Sequence, residues 1–147
     1  MRRNALFLTM IMLVMSLAPL VQGTGARSTA CTGDICINEL MPNPTGTETG
    51  NYPACEWVEL YNSGTTDVNL QGWTLVDAAQ YSHPIDANTW VDFANLATPY
   101  VLPAGDYAII AENTQGTLKL NNAGETLDLI GGTGTSVHTV TTGEASS

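Results

Sequence analysis

The sequence predicts an all-β fold, an antiparallel β-sandwich, on three observations. Short apolar runs alternate with a period of two: Val58 and Leu60 face one way, Trp57, Glu59 and Tyr61 the other. Turn chemistry separates such runs at short intervals, as in Asn62-Ser63-Gly64, Pro103-Ala104-Gly105-Asp106 and Gly131-Gly132-Thr133-Gly134. Beyond residue 23 no stretch combines helical spacing with capping signals. Many short strands at this spacing make a sandwich or a barrel.

The elements follow in chain order. Arg2 and Arg3 precede an apolar run from Ala5 to Val21 broken only by Thr9, Ser16 and Pro19, then small residues. This reads as an N-terminal signal peptide over residues 1–23, cleaved after Gly23 or, as the second choice, after Ala26. The run falls short of the about 20 apolar residues a membrane span needs, so an uncleaved anchor is the minor reading. Residues 24–34 read as a flexible polar leader and 35–143 as the sandwich, with 144–147 a tail. Residues 35–41 alternate as a first strand, which Pro42-Asn43-Pro44 ends because proline cannot donate to a ladder. A Gly/Thr/Asn loop with Tyr52 as its apolar anchor leads to the central strand at 57–62.

A short strand at 67–70 and a corner at Gly72-Trp73 come next, then a strand at 73–76. Residues 78–98 are the least periodic stretch, and we expect a long insertion with a short strand or turn, packed by Tyr81, Trp90 and Phe93. Strands are then expected at 100–102, 107–111, around Leu118 and Leu120, at 126–130 and at 137–140. The last of these is expected to leave an exposed edge near residues 135–142, open to pairing with another chain.

Charge and cysteines bound the function. Without residues 1–23 the chain keeps two basic residues, Arg27 and Lys119, against 14 acids, a net charge of −12. Proteins bind phosphate backbones and anionic membranes with Lys and Arg, so nucleic acid and membrane insertion are excluded as partners of the exported form. The acids are scattered, which suits a well-hydrated surface. Of three cysteines, Cys31 and Cys36 are close in sequence and are expected to form a disulfide in an exported protein. Cys55 is left over. An antiparallel pairing of the first and central strands puts it at the opposite end of the hairpin from Cys36, beyond the roughly 7 Å Cα separation a bridge allows. No cysteine–histidine spacing suggests zinc.

Five pieces together resemble the lamin-tail domain: Ile37-Asn38-Glu39-Leu40, Glu56-Trp57-Val58-Glu59-Leu60-Tyr61-Asn62, Val68-Asn69-Leu70-Gln71-Gly72-Trp73-Thr74-Leu75, Leu102-Pro103-Ala104-Gly105, and Ala123-Gly124-Glu125-Thr126-Leu127-Asp128-Leu129. Their order and spacing carry the resemblance over residues 35–143. It implies an immunoglobulin-like sandwich of two antiparallel sheets, of a type that in microbes is exported and sits beside hydrolases, nucleases or adhesion modules. The family offers no catalytic residues to carry over. Its animal members' contacts with DNA imply a basic surface that this sequence lacks. The cysteines and residues 78–98 depart from the simplest family pattern.

Against that background the chemistry-bearing residues are few. His83 and His138 come without a nucleophile elbow, a zinc-protease motif or a phosphate loop, and both are expected to face solvent. No enzyme is expected. Glu39 and Glu59 fall on strands expected to pair, where opposed like charges favour a cation, a proton or separation. Calcium is the candidate metal, with oxygens from residues 45–51 in reach, although no EF-hand-type loop is present and a wet strand face is the plainer reading. Tyr81, Trp90 and Phe93 form a candidate contact patch, or else simply hold the loop down. Trp57 and Trp73 each admit packing or, for Trp57, a contact platform. The expected function is a non-catalytic extracellular structural, adhesion or accessory binding module that meets protein or carbohydrate at a cell surface. The alternative is a calcium-dependent or carbohydrate-binding module serving a hydrolase or nuclease encoded beyond this chain.

Overall fold

The computed structural model describes residues 31, 33–44, 51–91, 99–111 and 118–143. Within them are ten strands: β1 (Ile35–Met41), β2 (Trp57–Asn62), β3 (Val68–Asn69), β4 (Thr74–Val76), β5 (Ser82–Pro84), β6 (Trp90–Val91), β7 (Val101–Leu102), β8 (Tyr107–Ala111), β9 (Thr126–Ile130) and β10 (Ser136–Thr141). Two four-stranded sheets, ordered β1-β2-β8-β6 and β10-β9-β4-β5, make an all-β, immunoglobulin-like sandwich, and β3 pairs with β7 separately. All pairings are antiparallel.

Alternation builds the core. Val58 and Leu60 of β2, Ala108 and Ile110 of β8, Leu75 of β4 and Leu127 and Leu129 of β9 are buried and belong to one cluster. Removing each large aliphatic side chain of this kind from water contributes about 1.5–3 kcal/mol. In β1 the register shifts between Ile37 and Glu39. The extra residue lets Ile35 and Ile37 on one side of the irregularity, and Leu40 on the other, all reach the same core. A smaller cluster of Cys55, Ile109 and Ala111, flanked by Tyr52, Trp57 and Val91, is separate from the main core. Trp73 is partly buried against the main core.

Residues 78–98 differ from the expected loop with one short strand. They supply an edge strand to each sheet, β5 to one and β6 to the other, while 92–98, with Phe93, lie outside the described residues. The β5 edge is blunted chemically: Pro84 has no N–H, and its carbonyl accepts a 2.7 Å bond from the Thr89 hydroxyl. The expected strand around Leu118 and Leu120 is not one. Both leucines are buried, but the Leu120 N–H donates to Glu56 Oε2 at 2.6 Å, so a side chain stands where a ladder partner would.

The histidines require a correction. The sequence reading has both facing solvent, yet His83 and His138 are 3% and 6% exposed. Each lies two residues from a core aliphatic, Ile85 and Val140, and so points inward. The last strand, β10, stands at the edge of its sheet as expected, and its inner face carries His138. The His138 Nδ1 accepts the Ile37 N–H at 3.1 Å, so a ring from β10 satisfies a donor on β1 and ties the two sheets along that side.

Candidate functional site

The described residues form an open groove of about 680 Å³ between the β4–β5 turn and residues 119–125. Local hydrogen bonding shapes the turn. The Gln80 N–H donates to the Asp77 carbonyl and the Asp77 N–H to the Tyr81 carbonyl, while the Tyr81 N–H donates to Asp77 Oδ1 at 2.8 Å. Gln80 closes the turn at φ 68°, a left-handed conformation that costs a side-chain-bearing residue about 1–2 kcal/mol. The bonds around it hold that strain in place.

Three buried ionisable side chains stand behind the groove. Asp77 Oδ2 lies 3.3 Å from His83 Nε2, so the Nε2–H tautomer donates to the carboxylate. Glu125 accepts three backbone N–H groups, from Asn121 at 2.8 Å, Thr126 at 2.9 Å and Ala78 at 3.2 Å. It thereby fastens the β4–β5 turn to the loop before β9. In front of them, Tyr81 is 69% exposed and Lys119 also lines the groove. His138 is not among the lining residues, so the two histidines do not share a site. The arrangement suits holding loops and presenting a pocket.

Glu39 and Glu59 are direct register partners, and Asn38 Nδ2 donates to Glu59 Oε1 at 2.6 Å. Among the described residues no three His, Cys, Asp or Glu side chains are grouped to hold a metal ion. Of residues 45–51, expected to supply further calcium ligands, 45–50 lie outside the described residues. Of the aromatic patch, Tyr81 is exposed, Trp90 packs edge-on against Tyr100 at 5.8 Å and onto the core, and Phe93 lies outside the described residues. Cys31 and Cys36 are bridged with a Cα separation of 5.6 Å, and Cys55 is buried apart from that bridge. Tyr61 and Tyr107 stack at 4.7 Å.

The sequence pattern of the Lamin Tail Domain matches residues 28–144. The chain belongs to the lamin tail domain family. No curated protein shows significant sequence similarity to it. Among solved structures it is similar to the archaellum periplasmic stator protein FlaG from Sulfolobus acidocaldarius, at 15% identity and a TM-score of 0.42, over 75% of this chain and 99% of that one. That likeness is too slight to carry a functional argument. The lamin-tail pieces of the sequence contain Glu56 and Glu125, which hold loops. Most of the groove, including Asp77, Tyr81, His83 and Lys119, lies outside those pieces, so the family resemblance assigns it no role.

Glu125 carries no role in the sequence reading, although its position is informative. It shares the parity of Leu127 and Leu129 across a strand start, which puts a carboxylate on the core face, where it must find donors.

Proposed function

We propose that the protein is a non-catalytic, exported sandwich module with a structural or accessory binding role at a cell surface. The observation that carries this reading is the commitment of the buried carboxylates and imidazoles to the fold. Glu56, Glu125, Asp77 and His138 each hold a backbone N–H, and a lamin tail domain brings no catalytic set of its own. The signal-like residues 1–23 and the acid excess support export. Among the described residues no helix is long and apolar enough to cross a membrane. Fractionation of cells producing the full chain, followed by binding of the purified protein to an array of glycans and cell-surface polymers, tests the proposal. The expected result is recovery outside the cytoplasm and retention of at least one polymer without turnover. Cytosolic recovery, or hydrolysis of an array polymer, contradicts it.

A further inference from the structure

We propose that the groove between the β4–β5 turn and residues 119–125 is a binding site for a neutral saccharide, a sugar ring stacking on Tyr81 with its hydroxyls turned to the few polar side chains of an otherwise apolar wall. This rests on the binding-module reading and names the ligand class.

The first argument is the aromatic. Tyr81 is 69% exposed at the lip of a cavity, whereas Asp77, His83 and Glu125 behind it are held by the fold. A phenol ring presents an apolar face with a polar tip, which suits the C–H face of a pyranose edged by hydroxyls. The turn that carries it is fixed by Asp77 at both Oδ1 and the backbone. The ring is thus displayed on a braced element, and ordering it on binding costs little.

The second argument is the sign pattern of the wall. Lys119 is the one Lys or Arg among the described residues, and it lines this groove beside Asp77 and Glu125. A cation there meets the ammonium. An anion meets two carboxylates and a chain of net charge −10. Hydroxyl groups both donate and accept, so they satisfy a wall of mixed sign where an ion of either charge does not. Ser82 and Asn121 extend the same double capacity. A carboxylate has about four lone-pair sites, and the Asp77 oxygens accept from the Tyr81 N–H and His83 Nε2, so acceptor capacity remains. The volume, about 680 Å³, lies within the roughly 300–1,000 Å³ of small-molecule sites.

The test is an NMR titration of the isotope-labelled protein with maltose, cellobiose, N,N′-diacetylchitobiose and glucose, with glucuronic acid as the charged comparison. The expected result is saturable shifts at the amides of Ala78, Ala79, Ser82 and Asn121 with at least one neutral sugar. Tyr81→Ala should weaken that binding about tenfold, the equivalent of one lost stacking contact, and leave the melting temperature unchanged; Lys119→Gln should weaken it less. Tighter binding of glucuronic acid than glucose overturns the proposal. Neutral-sugar shifts that fall elsewhere and survive Tyr81→Ala overturn this site but leave the module reading standing. Silence with every sugar, alongside retention of a non-glycan polymer on the array, does the same, and silence on both removes the two together.

Discussion

Asn62 shows what the individual residue contributes. It ends β2 with no exposed surface, and its amide is well used: Nδ2 donates to the Thr66 and Leu102 carbonyls at 2.9 and 3.0 Å, and Oδ1 accepts the Gly64 N–H at 3.0 Å. One side chain thus fixes the turn after β2 and holds β7 beside it. Asn62→Ala should cost about 3 kcal/mol in chemical denaturation, because three polar groups lose their partner at once. Asn62→Asp should cost more at neutral pH, since a carboxylate cannot donate to two carbonyls. Equal stability of the Asn62→Asp variant and the native protein contradicts this assignment. The residue is legible in part: Asn62-Ser63-Gly64 reads as a turn, but the turn residue's burial follows from parity with Val58 and Leu60. The same parity places Glu56 and Glu125 on the core face. Residue type alone suggests solvent for such groups, and position along the strand overrides it.

At the scale of elements, strands are readable where alternation or flanking turn residues mark them, including the short β3, β4 and β7, and are not where residues 78–98 lack both. β1, β2, β8, β9 and β10 fall where period-two alternation and turns place them. β5 and β6 are three and two residues long, too short for a period to appear, and their pairing comes from the sheets they join. Leu118 and Leu120 alternate like a strand, yet a glutamate captures the Leu120 amide, and no local pattern reveals a partner 64 residues away. The β1–β10 seam is the element-level contact with the clearest consequence. His138→Leu keeps the ring's volume approximately and removes the acceptor for the buried Ile37 N–H. It should lower stability by about 1–3 kcal/mol and speed hydrogen exchange at Ile37 before it does so in β2. An unchanged Ile37 amide in that variant shows that the imidazole does not close the seam.

For the whole molecule, the sandwich class follows from composition, turn spacing and alternation, and its immunoglobulin-like type from five ordered pieces. The groove does not follow, because only the folded sheets bring its two sides together: Asp77, Tyr81 and His83 from one, Lys119 and Glu125 from the other. The bond that fastens them, from the Ala78 N–H to Glu125, spans 47 residues of sequence. The resulting picture is a hydrophobic sandwich whose acidic and imidazole side chains act as acceptors for backbone groups that the ladders leave out. Native-state amide hydrogen exchange tests that picture most directly, through the Leu120 amide, which has Glu56 as its acceptor. Protection of Leu120 matching that of Leu60 and Leu127 in the wild-type protein, lost selectively in Glu56→Ala, is the predicted result. A Leu120 amide that exchanges in the wild type as fast as those of exposed turns would contradict it.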